Sequence, residues 1–299
     1  MYHSVDTDRD DPYRVTVTPG RLDAQLRWLR ARGLRGVAVR DLLAAHARGA
    51  ARGLVGLTFD DGYADFLRHA VPLLRRHGCT ATVFALPGRL GGDNAWDPLG
   101  PRKPLLTAEG LRSCAEAGME VASHGLRHVS LPPADDTTLQ DELRGSRDLL
   151  HALTGKPPAG FCYPYGHVDA RVAAAARDAG YAYACAIDPG RLSGVHALPR
   201  VHVGQRDTAL RLHAKRRLHA LRRRTPVGLP AAAADPAAVA DPAAVADPAA
   251  VADPAAVADP AAAADSAAAA DPAAAADSAA AAQTDTGTYA GPRTGTRAS

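Results

Sequence analysis

GLTFDDGYADF (residues 56–66) closes an apolar run with two adjacent carboxylates, Asp60 and Asp61, and then Gly62. Leu54, Val55, Leu57 and Phe59 read as a buried strand. Neighbouring side chains on a strand point to opposite faces, so one pattern does not bury or expose both acids together. Two acids in that position call for two roles. The run is also one of a series. RGVAVR (35–40), TATVFAL (80–86), MEVAS (119–123), GFCYPYG (160–166), YAYACAI (181–187) and ALPRVHV (197–203) read as strands like GLVGLTF (53–59). Helical patterns alternate with them: Arg21 to Arg32, Ala64 to His77, a helix capped by Thr107 and running to Ala117, Thr137 to Leu153, one capped by Asp169 and stopping at Gly180, and Thr208 to Arg223. Repeated β-then-α units predict an α/β fold on a parallel sheet, doubly wound or closed as a barrel. In both architectures the site forms at the carboxyl ends of the strands.

Composition sets the limits of this domain. From Asp235 to Asp277 an aspartate recurs every six residues, in DPAAVA units that decay into DSAAAA. A proline at that spacing leaves too little room for an isolated helix, and there are too few large apolar side chains to offset ordering. Residues 226–299 are therefore expected to be a disordered low-complexity tail, and 1–225 one domain. A stacked solenoid needs a longer repeat with core residues. Residues 230–299 hold nine Asp and two Arg, a net −7, which leaves the rest at +10 against +3 for the whole chain. The cationic helix ALRLHAKRRLHALRRR (209–224) reads as the last helix, packing its leucines inward behind a solvated basic face rather than meeting nucleic acid. Cys79, Cys114, Cys162 and Cys185 show no CxxC spacing and read as reduced core residues. No apolar run reaches the length of a membrane span, and no leader pattern is visible. As written, the chain is expected in the cytoplasm, although its opening on MYHSV leaves room for upstream sequence, including a signal peptide.

The strand ends collect ionisable and aromatic groups: Asp60-Asp61-Gly62, Ser123-His124 with His128, Tyr163-Pro164-Tyr165-Gly166, Asp188, and Arg200 with His202. His124 and His128 stand at i and i+4, a spacing that puts two imidazoles on one side of a turn. With twelve histidines in the chain, that spacing alone says little. A carboxylate at a neighbouring strand end makes it a two-His, one-carboxylate set, which is an open metal site. One of the two acids then completes the metal site, and the other takes a proton from water.

LTFDDGY, ASHGLRH and GFCYPYG, in this order, resemble the polysaccharide deacetylases of the NodB homology domain, carbohydrate esterase family 4. The likeness runs over about residues 2–205, and MYHSV and LPRVHV resemble segments that flank the core in one branch of the family. It implies a deformed (β/α) barrel of about seven strands, a divalent metal, usually zinc, and hydrolysis of N-acetyl groups on a saccharide. Carried over to this sequence, Asp60 is similar to the catalytic base, and Asp61, His124 and His128 to the metal ligands. Tyr165, with Tyr163 in the same turn, is similar to the segment that stabilises the oxyanion. Two departures stand out. The arginine that braces the base in the family's third motif is replaced by Cys162, with Arg200 as the substitute candidate. The catalytic acid is a histidine near the last strand, where His202 is nearest and His3 and His196 are alternatives. Trp96, in the loop from Pro87 to Pro104, is a candidate for stacking on a sugar. Other readings are a catalytically weak carbohydrate-binding relative and a magnesium-dependent phosphate hydrolase, the latter disfavoured by the imidazoles.

Overall fold

The alternating units fold as one series of parallel strands whose connections cross outside the sheet. The computed structural model describes residues 1–7, 10–187, 192 and 194–222, the last four through their backbone alone. These residues lie in the first of two units, Met1–Pro242; the second, Ala243–Ser299, and with it the tail expected over 226–299, lies outside them.

Strand β1 (Ser4–Val5) pairs in parallel with β2 (Thr16–Val17). Helix α1 (Pro19–Arg30) starts with a proline, and the Thr18 hydroxyl caps it by accepting from the Arg21 N–H. β3 (Arg35–Val37), α2 (Val39–Ala47), β4 (Leu54–Gly56) and β5 (Thr58–Phe59) follow. A π-helical turn over Phe66–Ala70 leads into α3 (Val71–Arg76), then β6 (Thr82–Ala85), α4 (Ala108–Glu116) and β7 (Glu120–Ser123). α5 (Asp136–Gln140) and α6 (Ser146–Thr154) are joined by a π-helical stretch, Asp141–Gly145. β8 (Gly160–Cys162), α7 (Ala170–Asp178), β9 (Tyr183–Ala186), β10 (Leu198–Pro199) and α8 (Ala209–Arg222) complete the order. Among the described residues, no helix is long and apolar enough to cross a membrane.

Six strands, in the order β10-β9-β8-β7-β6-β5, form one parallel sheet. Its two edges are bridged by the start of the chain. Tyr2 pairs in parallel with Phe59, accepting from the Asp60 N–H at 2.9 Å and donating to the Thr58 carbonyl at 2.8 Å. On the other side, the Val203 N–H donates to the Met1 carbonyl at 2.9 Å, and Met1 donates to the Val201 carbonyl. This bridging segment takes the seventh place in a deformed barrel, so the expected strand number is met by six ladder strands plus one bridge.

Several segments differ from their sequence reading, ALPRVHV (197–203) among them, a strand only at Leu198–Pro199. RGVAVR (35–40) is a strand only to Val37, because Val39 already begins α2. GLVGLTF divides: β4 pairs with β3, and β5 joins the main sheet beside β6. The strand alternation is otherwise clear. Phe84, Ala122, Cys162 and Cys185 pack together inside the barrel, while Val83, Ala85, Phe161, Tyr163, Ala184 and Ala186 face the surrounding helices in two outer cores. The same parity carries Asp60 and His124 to the inner face at the carboxyl rim.

Candidate active site

At the end of β5 the chain leaves the strand abruptly. Asp61 has φ 71° and Gly62 φ 68°, a left-handed pair in which only glycine is unstrained. A Cβ on Gly62 would lie 3.2 Å from the Ala85 Cα, so this turn also passes tightly over β6. The bend separates the two acids and buries both, which strand alternation alone would not do. Asp60 stays on the inner face, and Asp61 swings toward the loop after β7.

There Asp61 Oδ1 lies 3.2 Å from His124 Nε2 and 3.4 Å from His128 Nε2. Burial penalises the Asp61 anion, but the hydrogen bonds with His124 and His128 hold its carboxyl well below the ordinary value. His124 Nδ1 is 2.8 Å from the Cys162 carbonyl, which can only accept, so Nδ1 carries a proton and Nε2 turns to Asp61. Burial opposes a charge on His124, but Cys162 and the hydrogen bond with Asp61 raise the imidazole well above its ordinary value. Without a cation, Nε2 therefore also carries a proton and donates to Asp61; a divalent ion would take that proton's place. One ligand atom from each of Asp61, His124 and His128 falls within 4.8 Å of the others. Two imidazoles and one carboxylate fit a divalent ion such as zinc. A second set, Asp60, His124 and Cys162, has the same spread but fits poorly. Burial raises the Cys162 thiol, which keeps it protonated, and both Asp60 oxygens are already engaged.

Their partner is Arg200. Its Nη1 and Nη2 donate to Asp60 Oδ1 and Oδ2 at 2.6 and 2.8 Å, with further contacts to Thr58 Oγ1 at 3.1 Å and Cys162 Sγ at 3.0 Å. Burial alone would raise the Asp60 carboxyl, but the Arg200 charge and hydrogen bonds outweigh it and bring it down to about 2. Cys162 leaves the space that a guanidinium from the last strand fills.

The histidine candidates separate. His3 Nε2 lies 4.0 Å from Asp60 Oδ2. Burial lowers its pKa against the pull of Asp61 and Asp60. His202 sits one ring farther out, 5.9 Å from His3 between centroids, and burial followed by His3 holds it down at about 4. His196 is committed elsewhere, with Nε2 2.7 Å from the Tyr181 carbonyl. Tyr163 requires a correction. Strand parity turns its side chain into an outer core, where its hydroxyl donates to the His196 carbonyl at 2.8 Å, so its ring takes no part in the site. Tyr165, at φ 59° and 46% exposed, stands at the rim with its ring 4.5 Å from His128. Trp96 stacks on another side of His128 at 4.5 Å. Asp188 lies outside the described residues.

The two imidazoles do not meet through helical spacing. Gly125 at φ 85° and His128 at φ 69° make the segment an irregular loop. Glu142, fully buried in the π-helical stretch, shapes it. Its carboxylate accepts from the Leu126 and Arg127 N–H groups at 2.7 and 3.0 Å and from Arg127 Nε at 3.0 Å. A Cβ on Gly125 would come within 2.8 Å of that carboxylate. The sequence reading passed over Glu142, although an acid on the stripe of Leu139, Leu143, Ser146 and Leu150 was a visible signal.

Residues 47–184 match a family described as polysaccharide deacetylase. YxkH of Bacillus subtilis, named for the same family, is 27% identical over 208 residues, covering 68% of this chain and 70% of YxkH. A poly-beta-1,6-N-acetyl-D-glucosamine N-deacetylase of Staphylococcus aureus is 22% identical over 161 residues, and the match spans 50% of this chain and 54% of that enzyme. The fold is similar to that of the Streptococcus pyogenes deacetylase PplD, with TM-score 0.62 and 21% identity over 72% of this chain and 95% of PplD.

Proposed function

From the match of residues 47–184 to the polysaccharide deacetylases, we propose that the chain belongs to that family and is a metal-dependent hydrolase removing N-acetyl groups from an amino-sugar polysaccharide or glycoconjugate. The observation that most supports this is the division of the two acids. Asp61 is turned toward His124 and His128, while Asp60 is held as an anion by Arg200. Asp61, His124 and His128 would hold zinc or a similar ion, which supplies an electrophile for the acyl oxygen and a more acidic water.

The chain's own groups do the rest. Asp60, ionised at neutral pH, takes a proton from the attacking water. Arg200 fixes its orientation and keeps it charged. His3, within reach of Asp60, returns a proton to the departing amine, which is a poor leaving group without one. The Tyr165 turn offers a backbone N–H to the developing oxyanion. The rival reading, a catalytically weak saccharide-binding relative, rests on the absence of an arginine at Cys162 in β8. Arg200 supplies that group from another strand, which favours the enzyme.

Acetate release tests the proposal, measured on N-acetylglucosamine oligomers and peptidoglycan fragments with added zinc and with chelator. Metal-dependent release is expected; none from any substrate with zinc-loaded protein would sink the reading. The proposal places catalysis in residues 1–225 and none in 226–299. A chain ending at Pro230 should then hydrolyse a small soluble substrate at close to the full-length rate, and a large loss with folding unchanged would contradict it.

A further inference from the structure

A pocket of about 710 Å³ lies beside His202, whose ring is 5.9 Å from that of His3. His202 lies on its wall, which puts the pocket one side chain away from the candidate base. The lining is polar and unevenly charged. Arg14, Arg206, Arg211 and Lys215 face two carboxylates, Asp11 and Asp207.

Both acids are already used. Asp11 accepts from the Val15 and Thr16 N–H groups at 2.9 Å each. Asp207 accepts from the Gly204 N–H at 2.8 Å and from Lys215 Nζ at 2.6 Å. No described hydrogen bond or ion pair engages the guanidinium of Arg14, Arg206 or Arg211. Thr16, only 4% exposed, also lines the pocket, and its buried hydroxyl has no partner. Arg14 is held at φ 58°, a strained conformation for a residue with a side chain.

Guanidinium forks without an acceptor match an oxyanion, phosphoryl or carboxyl, better than neutral sugar hydroxyls. Resting on the deacetylase reading, we propose that this pocket binds an anionic substituent of the saccharide while an acetamido sugar lies over Asp60, so that the preferred substrate is an anionic N-acetylated glycan. A flat basic face would suit any polyanion. A concave pocket beside the site points to a group carried by the substrate itself.

Zinc-loaded full-length protein is assayed on three matched N-acetylglucosamine oligomers: neutral, phosphorylated and carboxylated. One or two charge-assisted hydrogen bonds correspond to about ten- to hundredfold in kcat/KM, expected mainly in KM. The better of the two anionic arms identifies the substituent. In the Arg206→Gln/Arg211→Gln variant, both residues being exposed, the anionic-to-neutral ratio should fall toward one. A ratio near one in the parent, or an unchanged ratio in the variant, overturns the proposal. Should no oligomer release acetate, the deacetylase reading fails, and the pocket is judged by titrating inorganic phosphate and acetate. Weaker binding by the variant than by the parent then supports it, and equal binding overturns it.

Discussion

Replacing Arg200 by methionine keeps an aliphatic stem of similar length and removes the charge that Asp60 depends on. A carboxyl brought from 3.8 to about 2 despite full burial is favoured as the anion by about 2 kcal/mol. Deleting the partner also leaves a buried, unpaired carboxylate, for which the usual cost is about 3–5 kcal/mol. We expect Arg200→Met to lose about 3 kcal/mol at pH 8, moving the urea midpoint by about 1 M or more. The sign of the pH dependence follows from the shift. In the parent, the depressed carboxyl contributes stability that is full above pH 3.8 and fades as pH falls toward 2. In the variant, burial is opposed only by the weaker pull of His3 and His124 and raises the carboxyl, so stability is lost as pH rises through the new value. The gap between the two proteins should therefore widen from pH 5 to pH 8. Urea denaturation in chelator keeps metal linkage out of the comparison. Adding Asp60→Asn to Arg200→Met should return most of the loss, because neither buried charge remains. A gap that is flat with pH, or a double variant no more stable than Arg200→Met, would refute the coupling.

Glu142→Ala should weaken zinc binding by about 10–100-fold through the loop that carries His124 and His128, with Glu142→Gln closer to the parent because it keeps an acceptor; equal zinc affinity in all three proteins would remove Glu142 from the site. His3→Gln should lower kcat by about 10²–10⁴-fold and flatten the loss of rate as pH rises through the His3 value, which burial holds below the ordinary 6.5. His202→Gln should cost at least about tenfold less in kcat, since catalysis of this kind requires hydrogen-bond reach of the reacting group, and the reverse order would exchange their roles.

Much of this arrangement was legible in the strand ends. Asp60, Asp61, His124 and His128 stand where a parallel α/β sheet gathers its site, and period-two alternation predicts that Phe59 and Asp60 face opposite ways. Arg200 was legible as a candidate, because a basic residue on the last strand is the nearest replacement for a guanidinium absent at Cys162. Other features depend on backbone geometry that side-chain patterns do not carry. The left-handed bend at Asp61 aims its carboxylate, and nothing in Asp-Asp-Gly specifies its direction. His124 and His128 suggested a helical turn, whereas Gly125 and the Glu142 carboxylate hold an open loop. Val37, Val39, Leu42 and Leu43 blur a strand into a helix, and α2 has no side-chain cap to mark its start. Past Pro199 the chain leaves regular strand geometry, so parity no longer relates Arg200 to His202.

The division of labour between the two acids is tested most directly by measuring zinc content and acetate release on the same samples of parent, Asp60→Asn and Asp61→Asn. Asp61→Asn should lose both zinc and turnover. Asp60→Asn should keep zinc near the parent level while its acetate release falls by about 10²-fold or more, the usual worth of a positioned base. Equal loss of zinc in both variants, or undiminished acetate release by Asp60→Asn, would contradict the account.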